Sequence, residues 1–207
     1  MYIMKPLMSK KCISLFESYL TKDKILLEIG SGGSTCYFHD KVKKMYSIES
    51  DESWYNDVKK YLDSNNITNV EYKLVKSNYQ DKKQGGKYWT YEMYKNYVDE
   101  INNFDFKFDI IFIDGMARPH CYLKAFNQVK DDGYVIIHDF YNNSNLDKEW
   151  NLSLLFKYYE EVDSIKECWG RHKNVERGND VIILKKKQNV DYDENDMKKL
   201  DEIIPRY

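Results

Sequence analysis

The chain of 207 residues has the size of one domain, long enough to bury a core and too short for two ordinary α/β domains. Lys and Arg total 32 against 34 Asp and Glu, a formal net charge of -2, so the summed field offers no general attraction to phosphate backbones or anionic lipid, and nucleic acid is set aside as a partner. No apolar run approaches the roughly 20 residues that span a bilayer, and the start lacks the apolar core of a signal peptide, so a cytosolic protein without a membrane partner is expected.

Strand and helix signals alternate along the chain, which predicts parallel βαβ units. Residues 24–29 read as the first strand. A glycine-rich turn, Gly30-Ser31-Gly32-Gly33-Ser34, leads into a helix over about 35–42, and a second strand covers 45–48 and ends at Glu49. The acidic and hydroxyl residues at 50–53 suit the first turn of a helix over 53–62. A third strand is expected at 70–75.

Residues 79–104 are too long for a simple connection and carry Gly85-Gly86, then Tyr88, Trp89, Tyr91, Tyr94 and Tyr97, so they read as an inserted lid or wall. The almost wholly apolar run 108–113 predicts a central strand covered on both faces, closed by Asp114-Gly115. A helix over 118–129 follows, and Asp132-Gly133 turns the chain into a strand at 134–137 that ends in His138-Asp139. A helix at 147–159 and two strands at 162–169 and 180–184 complete the pattern as an antiparallel hairpin. The charged tail 185–207 reads as a solvated terminus with a short helix near 194–203. The whole is therefore expected to be one α/β domain over residues 1–207.

Cys12, Cys36, Cys121 and Cys168 form no C-x-x-C pair and have no His at zinc spacing, so they read as unbridged thiols. The cofactor signal lies elsewhere. Glu28-Ile29-Gly30-Ser31-Gly32 follows a strand and precedes a helix, where glycine lets the backbone approach a nucleotide closely. Glu49 closes the next strand 19 positions after Gly30, where a carboxylate can accept hydrogen bonds from both hydroxyls of a ribose.

These residues, together with 108–114 and the entry Asp132-Gly133-Tyr134-Val135-Ile136-Ile137, resemble the class I S-adenosylmethionine-dependent methyltransferases. The likeness covers about residues 24–140. It implies a Rossmann-like α/β fold with a mostly parallel seven-stranded sheet, a closing antiparallel hairpin and helices on both faces. It also implies S-adenosylmethionine as cofactor, with Gly30, Ser31, Gly32 and Ser34 under its amino-acid part. Glu28 would help to orient that part, and Glu49 and Ser50 would hold the ribose. Ser77-Asn78 would contact the adenine and Trp54 would wall it, with Asp114 close to the cofactor. A nicotinamide dinucleotide is the competing ligand, but Thr35 stands where G-x-G-x-x-G needs its third glycine, and a hairpin replaces the second nucleotide-binding half.

In an open α/β sheet the reacting groups belong after strands four and five, which nominates Asp114, His138 and Asp139 as catalytic. A positioned base would take the proton of an alcohol acceptor. Asp114-Gly115-Met116-Ala117-Arg118-Pro119-His120-Cys121 followed by His138-Asp139 resembles a D-G-x-x-R-x-x-C branch of these enzymes. That branch includes small-molecule and glycan O-methyltransferases and domains of large DNA viruses that modify surface sugars, which would place a viral member in the host cytoplasm. The resemblance implies a sugar or glycan acceptor, with Arg118, Tyr88, Trp89 and Tyr141 around it. His138 as a core histidine and Arg118 as a partner of Asp114 stay open as structural readings, and His39, His120 and His172 read as surface residues. Asp114 and Asp139, with Asn142, could carry a divalent ion, but two carboxylates make a partial site and no metal is assigned.

Overall fold

The computed structural model describes residues 5–78, 90–141, 151–166 and 180–203. In chain order the elements are α1 (Lys10–Glu17), β1 (Ile25–Ile29), α2 (Gly33–Phe38), β2 (Lys44–Glu49), α3 (Glu52–Ser64), β3 (Val70–Leu74) and α4 (Tyr91–Asp99). There follow β4 (Phe108–Ile113), α5 (Arg118–Gln128), β5 (Val129–His138), α6 (Leu152–Tyr158), β6 (Tyr159–Lys166), β7 (Asp180–Lys186) and α7 (Asn195–Ile203). The strands form one seven-stranded sheet in the order β3-β2-β1-β4-β5-β7-β6. Neighbours from β3 to β5 are parallel, whereas β7 runs antiparallel to both β5 and β6.

Successive side chains on a strand point to opposite faces, so a sheet buried on both sides needs apolar residues at every position of its central strands. In β4, Ile111 and Ile113 join a cluster with Tyr97, Val98, Cys121, Phe126, Tyr158 and Leu200. Ile110 and Phe112 join the opposite cluster with Cys12, Phe16 and Phe38. The result is a helix layer on each face. Cys12, Cys36 and Cys121 are all buried, and no helix among the described residues is long and apolar enough to cross a membrane.

Several expectations are corrected. α1 was not anticipated, yet its Phe16 ring lies 4.5 Å from Phe38 and 4.6 Å from Phe112 and covers one face of the sheet. The helix expected at 35–42 is a six-residue α2 followed by a 3-10 turn at His39–Lys41. The strand expected from 134 begins at Val129. Val129 pairs with Phe108 and Tyr134 with Ile110, so Asp132-Gly133 is a bulge inside the strand rather than a turn before it.

The inserted segment is only partly a wall. Residues 79–89, with Tyr88 and Trp89, lie outside the described residues, whereas α4 places Tyr94, Tyr97 and Val98 in the core, and Ile101 just beyond it is buried too. The tail is not a solvated terminus either. α7 buries Met197 and Leu200, and His120, expected at the surface, is fully buried with Nε2 3.1 Å from Asp201 Oδ1.

Candidate active site

β1 and β4 are neighbours, and sheet order reverses between them, which opens a crevice beyond their carboxyl ends. Gly30 has φ 92 and its nitrogen donates to Ile48 O at 2.9 Å, carrying the chain sharply out of β1. Here the turn after β1 crosses the turn after β4: a Cβ on Gly30 would overlap the backbone of Gly115. Only glycine meets both demands, a left-handed backbone and contact with another main chain. The cleft so framed has a volume of about 870 Å³ and is lined by Gly30, Ser31, Glu49, Trp54, Ser77, Tyr94, Asp114 and Arg118, among others.

Glu49 is buried and its carboxylate is held by the turn itself. Oε2 accepts from Ser31 N (2.9 Å) and Ser31 Oγ (2.8 Å), and Oε1 accepts from Ser50 N (2.7 Å) and Asp51 N (2.9 Å). The Ser31 hydroxyl also lies 2.6 Å from Tyr72 Oη. Trp54 projects from α3 and donates from Nε1 to Ser31 O at 2.5 Å, the residue being 38% exposed. The glycine turn and the acid of β2 therefore share one cleft.

Glu28 and Ser34 do not line it. Glu28 is fully buried beneath the turn and accepts from Ser34 Oγ at 2.5 Å, Ser47 Oγ at 2.6 Å and Thr35 Oγ1. Burial pushes its carboxyl up to about 7, against the pull of those three hydroxyls. It braces the turn from below. Gly32 lies under Trp54, its nitrogen donating to Thr35 Oγ1 at 3.0 Å. Asn78 is turned away too: its nitrogen donates to Met93 O (2.9 Å), its Oδ1 accepts from Asn96 N (3.1 Å), and Ser77 takes the cleft position instead.

Asp114 faces the cleft at the end of β4. Its Oδ1 lies 3.0 Å from His138 Nδ1 and 3.3 Å from Arg118 Nη2. Burial would raise the Asp114 carboxyl, but His138 and Arg118 outweigh it and hold the group below the usual carboxylate range. An ionised carboxylate only accepts, so Nδ1 carries a hydrogen and Nε2 is the basic nitrogen of the ring. Nε2 lies 4.0 Å from Asp139 Oδ1. His138 is 2% exposed, whereas the Asp139 side chain is partly exposed.

Asp139 has a left-handed backbone (φ 54), and its Oδ1 is buried without a hydrogen-bond partner among the described residues. Its turn is gripped by Asp180, a residue not anticipated from sequence: Asp180 O accepts Asp139 N (3.2 Å) and Oδ1 accepts Tyr141 N (2.7 Å). Burial raises the Asp180 carboxyl, and the Asp139 charge adds to the rise. An acid opening the apolar run 181–184 was the available signal. Tyr141 packs against Phe140 at 4.9 Å and reaches Glu161 Oε2 at 3.3 Å, outside the cleft lining. Ligand atoms of Asp114, His138 and Asp139 lie within 4.8 Å of one another, close enough to hold a cation, while Asn142 lies outside the described residues.

No family model and no curated protein matches the sequence. Solved structures do match. A methyltransferase-like protein from Silicibacter pomeroyi aligns with a TM-score of 0.66 over 97% of this chain and 97% of its own, at 16% identity. The chain has the Rossmann-like methyltransferase fold. The same fold is seen in a Streptococcus mutans protein in complex with SAH (TM-score 0.56, 16% identity, 87% of this chain and 100% of that one). It is seen again in an rRNA methylase from Streptococcus thermophilus (TM-score 0.56, 14% identity, 87% and 99%). Because one methyltransferase of this fold is named for RNA, the fold gives no ground for setting nucleic acid aside, and that expectation rests on charge alone.

Proposed function

We propose that the chain is an S-adenosylmethionine-dependent O-methyltransferase that acts on a hydroxyl of a sugar or glycan. The observation that carries the reading is the shared cleft, in which the Gly30 turn meets Glu49 and the lining carboxylates are Glu49, Asp51 and Asp114. Arg118 lines it too, but its guanidinium is turned onto the protein's own carbonyls. Such a field favours a ligand bearing cationic sulfur and ammonium and disfavours a dinucleotide pyrophosphate. The methyl donor, when bound, supplies an electrophilic methyl group on a sulfonium.

The protein's share of the reaction is alignment and proton removal. Glu49 and the Ser31 turn would hold the ribose end and Trp54 would wall the base. Asp114 fixes the His138 ring through Nδ1. The partly exposed Asp139 would meet the acceptor hydroxyl and His138 Nε2 would take its proton, while the oxygen's electron pair forms its bond to the methyl carbon and the carbon–sulfur bond breaks with its electrons left on sulfur. The 4.0 Å gap between Asp139 and Nε2 is of the kind that tightens on substrate binding. Carboxylates that only accept call for donors, and a neutral polyol presents many, which supports a sugar over a phosphorylated acceptor.

Isothermal titration with S-adenosylhomocysteine tests the reading. Binding is expected in the native protein and is expected to be lost in Glu49→Ala; a native protein that takes up none would end it. With labelled donor and a panel of sugars, His138→Ala and Asp139→Asn are each expected to lower methyl transfer by roughly 10²–10⁴-fold. Full turnover in either variant removes that residue from the relay. The cation geometry of Asp114, His138 and Asp139 favours one second reading, a metal-dependent O-methyltransferase, and loss of activity with a chelator, restored by magnesium, would select it.

A further inference from the structure

The parallel ladder between β4 and β5 ends at the pair Ile113 and Ile137, one residue short of Asp114 and His138. Beyond it, Arg118 joins the two chains. Its Nε donates to Gly115 O at 2.9 Å and its Nη2 to Asp114 O at 3.1 Å, both on the turn after β4. Its Nη1 donates to His138 O at 2.6 Å, at the end of β5. The same Nη2 pairs with Asp114 Oδ1 at 3.3 Å. A planar fork with fixed N–H directions can bridge three carbonyls in this way, whereas an ammonium on a flexible stem cannot.

The placement runs against local helix physics. Arg118 opens α5, where a cation faces the positive end of the helix dipole, and Ala117 before it is forced into a left-handed backbone (φ 50) with no side chain to cap the first turn. A residue held where its own helix disfavours it points to a task outside that helix. With at least three of its N–H groups bound to backbone carbonyls, Arg118 is poorly placed to seize a substrate.

We propose that Arg118 is a positioning residue, which sets the hydrogen bond between Asp114 and His138 by clamping the ends of β4 and β5 together. The proposal rests on the relay described above for the catalytic role of that pair, although the clamp itself is a property of the ligand-free protein. Arg118 fixes the His138 main chain and the Asp114 carboxylate in one rigid unit, so the ring keeps Nδ1–H toward Asp114 and Nε2 toward Asp139.

The test is the ring ¹⁵N spectrum of histidine-labelled protein, feasible with four histidines and assigned by the signal lost in His138→Gln. Native protein is expected to show a fixed pattern with Nδ1 protonated. Arg118→Gln and Arg118→Lys are expected to move both His138 nitrogens toward tautomer averaging, Lys less than Gln because it keeps the charge and loses the fork. Unchanged His138 shifts in either folded variant overturn the proposal, and so does failure of both variants to fold, since the role would then be stability alone. Absence of S-adenosylhomocysteine binding to native protein is a separate outcome: it ends the methyltransferase reading and leaves the clamp standing on its spectrum.

Discussion

Glu28 sits beneath the glycine turn with every oxygen turned to a hydroxyl and none to water, and that setting gives the fold a pH dependence. Its carboxyl rises from 4.5 to about 7 on burial, so between these values the folded chain holds a proton that the unfolded chain has released. More protons bound when folded means stability that is full below pH 4.5 and falls as pH rises through 7, by on the order of 3 kcal/mol. Glu28→Gln cannot ionise and is expected to lack that slope. Urea unfolding at intervals from pH 4 to 8 checks it, and parallel curves for the two proteins would remove Glu28 as the source. The residue was legible as part of the turn, but not in its orientation. E-x-G-x-G says which residues are near a turn, whereas Ser47, a buried hydroxyl on β2, helps to decide where the carboxylate looks.

The last helix, α7, docks through a charge cluster as well as through Met197 and Leu200. Asp196 is fully buried and accepts from Lys157 Nζ (2.6 Å), Tyr158 Oη (2.5 Å) and Lys199 Nζ (2.5 Å). Burial would raise its carboxyl, but these donors hold it at about 2. A depressed folded value gives stability that is present above about pH 4 and lost as pH falls through 2. Asp196→Asn is therefore expected to cost about 1–2 kcal/mol at pH 7, the figure reduced because both lysines are part-exposed, with the gap closing near pH 2. Thermal melts at pH 7 and pH 3 measure it, and an equal gap at both would refute the ion cluster as the dock. Elements were legible where one periodicity ruled: β1 and β4 are apolar runs broken only by Glu28 and Asp109. α4 was hidden because its core stripe, Tyr94, Tyr97, Val98 and then Ile101, is half phenol, and phenols at regular spacing read as a binding wall as readily as a core. α1 was hidden because its two core residues, Cys12 and Phe16, lie among lysines and serines, and the sheet supplies the rest of its stability.

For the whole molecule, a net charge of -2 says little, because what a partner meets is the distribution. At the carboxyl ends of the strands the acids Glu49, Asp51 and Asp114 line the cleft, Asp139 and Asp180 stand beside it, and the guanidinium of Arg118 is bound to carbonyls. Among the described residues, phosphates approaching this mouth meet carboxylates, whereas a sulfonium meets attraction. Nonspecific nucleic-acid binding requires lysine and arginine to replace condensed counterions, and it shows as an affinity that falls steeply with salt. A labelled single-stranded RNA is therefore expected to bind more weakly than about 10⁻⁴ M at physiological salt, by fluorescence anisotropy, with little gain at lower salt. The methyl donor is expected to behave oppositely: S-adenosylmethionine, with its cationic sulfur, should lose more affinity on adding salt than S-adenosylhomocysteine, which lacks that charge. Micromolar RNA binding with a steep salt slope would reverse the inference from the cleft charges, and the acceptor would then belong to the class on which the rRNA methylase of the same fold acts.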